Sequence, residues 1–423
     1  MLSNVLQVLF NMADIAVVGR FGDSLSLASV GSTATAVTLF TGVLIGFSGG
    51  INAIAAKCFG ARDGDGMRRT VHNGFIISLF LGILILLFGL FGSRALLSLL
   101  NTKPELLQKA TVYMQIYFLG MPALAIFNMG NAVFSAVGNT KKPLVFLSIS
   151  GVLNVLLNLL FVILLKLDVV GVALASIISQ YLSAVLIIVA LSRARDDYKI
   201  TLRYMKLDKA SARQIIALGI PSGLQNAIFY VANLFIQAGV NSFDTVMVSG
   251  NSAAANADGL VYDVMAAFYT ACSSFIGRAF GAGEKKKIKR VYFICLIYSF
   301  AAGLILGGAL VLAGPAFLSL FTGDPAVVDA GMKRLTIMGL SYCISAFMDN
   351  TIAASRGVGR SIVPMIMVFM GSCIFRVIWI YTVFAYFATI PSLYLLYVFS
   401  WSITSALEIW YFFRCYKKEI LVS

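Results

Sequence analysis

Four oxygen-bearing side chains stand at a common depth in stretches that otherwise read as hydrocarbon. Asp14, in "NMADIAVVGRFG" (residues 11–22), lies seven residues before Phe21, where its apolar run ends. Asn158 lies seven residues from the corresponding end of its own run, Ser176 six and Thr33 eight. At about 1.5 Å of rise per residue, each sits roughly 10 Å inside a helix. Oxygens from Asp, Asn, Ser and Thr suit a dehydrated sodium ion, and the same set can hold a protonated carboxyl by hydrogen bonds. Ionisable groups within apolar helices are expensive and mark function; the competing reading makes Asp14 a packing group near a loop. Asn11, Asn154 and Gln180 are supporting candidates, though amides also serve as ordinary glue between helices.

A second set of polar residues follows later in the chain. Asp349 lies about six residues from the inner end of its run, Asp263 about fourteen, and Arg376 about fourteen from the inner end of the next run. Equal depth predicts a buried Asp263–Arg376 pair that neutralises both at little net stability, with a substrate-facing Asp263 as the alternative. Asp258 lies nearer the outside, where a cavity could solvate it. Of the plentiful aromatics, Tyr230, Tyr262, Phe268 and Tyr269 are candidates for stacking on a flat cation, against the simpler reading that they face lipid or core.

The elements that must position these groups are membrane helices. The chain has 423 residues, of which 60% are hydrophobic and only 12% charged, against about 25% charged in soluble domains. Runs such as "GFIISLFLGILILLFGLFG" (74–92) are long enough to cross a core of roughly 30 Å as helix, and too long for barrel strands. Twelve helices are expected, near 1–20, 25–56, 71–93, 106–137, 143–165, 170–191, 214–240, 246–277, 291–314, 326–355, 362–387 and 392–413. Alternate loops hold 24 of the 32 Lys and Arg residues, while the opposite loops hold seven, Arg334 counted among them. That asymmetry predicts that the basic loops and the C-terminus are cytoplasmic. The net charge of +14 is thereby accounted for without nucleic acid. The longest loop, 192–213, is a basic linker expected to be partly helical along the surface. The six cysteines are scattered singly, as apolar packing residues would be. The single histidine, His72, sits beside Arg68 and Arg69 at the start of a run and reads as an interfacial filler.

The chain also repeats. "CFGARDGDGMRRTV" (58–71) aligns with "AFGAGEKKKIKRVY" (279–292), and the same 221-residue shift carries Pro104 onto Pro325, Gly138 onto Gly359, Pro143 onto Pro364 and Asp23 onto Asp244. Two six-helix bundles, 1–191 and 214–423, are therefore expected about the linker 192–213. Six spans in each half point both the same way, related by a pseudo-two-fold axis along the membrane normal. Pro221 maps to the position before Met1, so the first helix is expected to lack its native beginning. A signal peptide over 1–20 is the weaker alternative, with no basic leading region and no cleavage site.

Several motifs carry a family resemblance: "NMADIAVVGRFG", "CFGA" and "AFGAG", "SAVGNTKKP", "LNVLLNLLFV" and "ASRGVGRSIVP". They resemble the multidrug and toxic compound extrusion family over essentially the whole chain. The resemblance implies an all-α integral membrane protein of two six-helix bundles around a central cavity. It implies export of organic, often cationic, small molecules in exchange for Na+ or H+ by alternating access, with no cofactor beyond that ion. It places the coupling ion at Asp14 and matches Asp349 to a transport-linked aspartate. One departure is "PSGLQNAIF", which puts Gln225 or Asn226 where one branch has a glutamate; Gln225 cannot titrate, which shifts weight to Asp14. The expected setting is a bacterial inner membrane, as a monomer. The runner-up is a flippase for a lipid-linked oligosaccharide, or a narrow-specificity metabolite exporter of the same superfamily. An enzyme is disfavoured because no catalytic motif is present, and a channel because no filter-like signature is.

Overall fold

The computed structural model describes residues 24–100 and 102–421, and they are almost entirely helical. The expected helix over 1–20, with Asn11 and Asp14, lies outside the described residues. The helices are α1 (Ser24–Ala61), α2 (Gly64–Leu99), α3 (Pro104–Phe118), α4 (Met121–Ala136), α5 (Lys141–Leu164) and α6 (Asp168–Ser192). They continue as α7 (Lys209–Val240), α8 (Thr245–Gly281), α9 (Lys285–Leu312), α10 (Pro325–Gly357), α11 (Ile362–Phe387) and α12 (Ile390–Cys415). Among the described residues, nine helices are long and apolar enough to cross a membrane, and the α3–α4 pair makes a tenth if read as one bent span. The 33-residue α10 is long enough as well, but it carries Lys333, Arg334, Asp349 and Arg356 and is not among the apolar ones.

Local chemistry sets the ends. Asp63 caps α2 by accepting from the Gly66 N–H, Asp244 caps α8 by accepting from Met247, and Asp324 caps α10 ahead of Pro325. Each carboxylate satisfies an amide the helix start leaves free. Thr389 and Ser392 form a reciprocal box at the start of α12. The offset seen in the sequence recurs in three dimensions. Gly138 and Gly359 both take left-handed backbone, at φ 84° and 86°, and Arg62 (φ 55°) stands where Gly283 (φ 70°) does in the other half. The widened i→i+5 turns at Leu159–Leu164 and Ile380–Phe384 begin at matching positions.

The repeat fails at one place. Where α10 runs on unbroken, its counterpart bends by 46° between α3 and α4. Pro122 stands at the start of α4, where it cannot donate to a preceding turn. The Leu119 carbonyl freed at the bend accepts from the Tyr181 hydroxyl at 3.0 Å.

The described residues divide into two compact units, one ending at Ala227 and the other beginning at Ile228. In the N-terminal unit, the main core joins Phe47 and Ile51 of α1, Met67 and Val71 of α2, Met129 and Val133 of α4, and Ile187 of α6. The beginning of α7 packs onto α1 through small residues. A Cβ at Gly50 would fall 2.5 Å from the Gly219 nitrogen, so only glycine lets the two backbones approach this closely. The linker is held against this unit. His72 donates from Nδ1 to the Arg68 carbonyl at 2.7 Å and accepts at Nε2 from the Thr201 N–H at 3.1 Å. Asn73 accepts from the Asp208 N–H at 2.9 Å, and Arg68 lies over the Tyr204 ring. The linker is mostly irregular, with one short 3-10 turn at Leu202–Tyr204. Together with residues 209–213 at the start of α7, this makes the 192–213 segment partly helical, and its backbone is anchored to α2. The C-terminal unit has a core of its own, built from Val261 and Met265 of α8, Tyr292 of α9, Met338 and Tyr342 of α10, and Tyr394 and Phe412 of α12. All six cysteines are free.

Candidate functional site: two polar levels among apolar helices

In the N-terminal unit, an apolar cluster joins Val30 of α1, Tyr113 of α3, Val162 of α5, and Val169, Val172 and Ala173 of α6. One helical turn towards the basic-loop end, each of three helices turns polar: Thr33 follows Val30, Asn158 precedes Val162, and Ser176 follows Val172. Thr33, Asn158 and Ser176 are all buried. Asn158 donates from Nδ2 to Asn154 Oδ1 at 3.2 Å, so both amides share one face of α5. Gln180 lies a further turn along α6, its Oε1 buried against Gly120 at the α3–α4 bend. Thr33 donates to the Val30 carbonyl at 2.7 Å, which leaves its oxygen able to accept. The apolar cluster packs these three helices together.

The C-terminal unit holds a more connected network. Arg334 of α10, only 6% exposed, donates to Asp258 and Asn251 of α8. Tyr342 donates to the same Asp258 carboxylate, and Tyr394 of α12 donates to Asn251 Oδ1 at 2.7 Å. The Arg334 guanidinium also lies 5.3 Å from the Tyr394 ring centroid. A second arginine, Arg376 of α11, is 1% exposed. It donates to Ser400 Oγ and to Asn233 Oδ1, each at 3.1 Å, and stands 4.7 Å from the Tyr397 ring centroid.

This arrangement corrects two expectations. Arg376 is not paired with Asp263: equal depth does not fix which way a helix faces, and Arg376 is turned towards α7 and α12. The buried ion pair here is Arg334–Asp258. Arg334 therefore belongs to no outer loop. It lies nine residues into α10, so Arg376 is not alone among basic groups deep in the apolar region.

Deeper in the unit, Asp349 lies within electrostatic reach of Tyr269, Arg356 and Arg376. Asp263 is half-buried on α8. Tyr269 is buried and meets Tyr262 edge-on at 6.3 Å between centroids, while Phe268 stacks on Tyr298 at 6.2 Å. Tyr230 is partly buried, Gln225 is buried, and Asn226 donates to the Gly42 carbonyl at 3.0 Å. One residue absent from the sequence-based candidates stands out. Glu408 of α12 is fully buried, and neither carboxyl oxygen has a hydrogen-bond partner among the described residues. The signal was available: it is the one acidic residue in "WSITSALEIWYFF".

The MatE family profile matches residues 1–160 and 221–382. The probable multidrug resistance protein NorM of Thermotoga maritima is 23% identical over 380 residues, covering 87% of this chain and 80% of that protein. An FAD transporter of Shewanella oneidensis is 22% identical over 346 residues, covering 79% of this chain and 74% of that protein. Among solved structures, a transporter of the MOP superfamily from Pyrococcus furiosus superposes with a TM-score of 0.92 at 22% identity, over 99% of this chain and 94% of that one. With two matched blocks spanning both halves, this chain belongs to the multidrug and toxic compound extrusion family of membrane transporters.

Proposed function

We propose that this chain exports organic, cationic small molecules across a bacterial inner membrane by alternating access, in exchange for Na+ or H+ that engages Asp14. The observation that carries this reading is the buried oxygen level of Thr33, Asn154, Asn158 and Ser176, one turn from the apolar cluster joining their helices. A carboxylate at the depth of Asp14 would complete it. Relatives named for multidrug resistance support the substrate class. The basic loops and the C-terminus face the cytoplasm in this reading, and no enzymatic step is needed.

Efflux of a fluorescent cationic dye from vesicles, under an imposed sodium or proton gradient, tests it. Transport should follow one of the two gradients and be lost in Asp14→Asn; unaltered transport in that variant would remove Asp14 from the coupling role. A second reading is favoured by Arg376, which is buried without a carboxylate hydrogen-bond partner. An anionic solute would find charge complementarity there, and one relative is named for transport of FAD. Movement of an anionic flavin nucleotide but not of dye would favour it.

A further inference from the structure

Residues 404, 408 and 412 follow one another at four-residue spacing, so they lie along one face of α12. Both outer members point inward. Ser372 of α11 lies 3.4 Å from Thr404 Oγ1 and 3.9 Å from Met348 Sδ of α10. Phe412 stacks on Tyr292 of α9 at 5.0 Å between centroids, and the Tyr292 hydroxyl donates to Thr351 of α10 at 2.9 Å. Glu408 therefore enters the interior of the C-terminal unit between the levels of Met348 and Thr351, the level of Asp349. The two carboxyls are within electrostatic reach of each other.

The surroundings supply an acceptor. Asn350 Oδ1 on α10 is also buried without a partner among the described residues. Asn350 already donates from Nδ2 to the Ala346 carbonyl at 3.1 Å. A carboxylate that is fully enclosed, with no hydrogen bond to either oxygen and a second carboxylate beside it, is costly. One hydrogen bound to it removes the charge and supplies a donor to a waiting oxygen.

We propose that Glu408 is a proton-binding carboxyl of the C-terminal unit, exchanging its proton with Asp349 and so forming an ion site separate from the oxygen level around Asp14. Other titratable groups near this level of the packed helices include Tyr269 and Cys272 on α8, Tyr292 and Cys295 on α9, and Arg356 on α10. Arg356 and Arg376 lie within electrostatic reach of Asp349. The functional part of this proposal rests on the exporter reading; the binding part does not.

The binding part is tested on wild-type protein in detergent with dicyclohexylcarbodiimide, which adds to protonated carboxyls in apolar sites. Peptide mass mapping should find the adduct on Glu408, with labelling falling as pH rises. Infrared difference spectra between low and high pH should show a protonated-carboxyl C=O band that Glu408→Gln removes. No adduct and no band assigned to Glu408 would overturn the proposal, as would labelling that responds to sodium and not to pH. In proteoliposomes, Glu408→Gln should lose at least tenfold in proton-gradient-driven uptake relative to wild type. Full gradient-driven uptake in that variant would overturn the transport role. Wild-type protein that moves no dye would count against the exporter reading alone, since the labelling and infrared results stand without it.

Discussion

At the scale of single residues, the charged groups of the C-terminal unit divide by how they are compensated. Arg334 has a carboxylate, an amide and an aromatic face, whereas Arg376 has a hydroxyl, an amide and an aromatic face. Removing the carboxylate leaves a buried guanidinium uncompensated, and breaking such a pair costs about 3–5 kcal/mol when fully enclosed. Asp258 is 27% exposed at its side chain, so the expected cost of Asp258→Asn is lower, about 2–3 kcal/mol by the same rule. Thermal unfolding in detergent measures it. A double-mutant cycle of Arg334→Met with Asp258→Leu should show coupling above about 1 kcal/mol, while Arg376→Met with Asp263→Leu should add within about 0.5 kcal/mol. The reverse ranking would contradict the pairing described here. Depth, legible from distance to the end of an apolar run, was insufficient to pair these groups. Asp263 and Arg376 share a level, but helix rotation, set by packing, turns Arg376 towards α7 and α12.

Helices were legible where the membrane itself dictates them, since spanning segments must satisfy their own backbone and run to about 20 apolar residues. Ranges and repeat offset could therefore be read from one sequence. The α3–α4 bend was harder to read, because Pro122 sits within an apolar run that hydropathy treats as continuous; only the comparison with Ser341–Cys343 in α10 isolates it. The glycines of α1 carry a further consequence. Gly50 lies against the Gly219 backbone, and a backbone cannot rotate away as a side chain does. Gly50→Val should then force α1 and the beginning of α7 apart, at about 2–3 kcal/mol, in the upper range for overpacking. Gly31→Val, where nothing among the described residues lies within 4 Å of the added Cβ, should be neutral or stabilising by less than about 1 kcal/mol, since valine has a higher helix propensity than glycine. Similar unfolding temperatures for the two variants would show that α1 and α7 have room to adjust.

For the molecule as a whole, charge placement determines how the chain sits in the bilayer. Most of the basic residues lie in or beside the loops after α1, α4, α6, α8 and α10, or at the end of α12. The linker between the halves is one of these loops, and His72, Asn73 and Arg68 hold it to the beginning of α2. A segment anchored through a buried imidazole cannot be drawn through the membrane without breaking that contact. The charge bias alone predicts that the basic face lies in the cytoplasm. Single cysteines introduced into a variant lacking the six native ones test this directly. Lys286→Cys and Lys417→Cys should resist a membrane-impermeant maleimide in intact cells and react after permeabilisation. Lys103→Cys and Lys166→Cys, at the opposite helix ends, should react in both conditions. The inverse pattern would turn the protein over. Every depth assigned to Asp349, Glu408 and the oxygen level around Thr33 would then be counted from the other side, and the direction in which a bound proton travels would reverse with it.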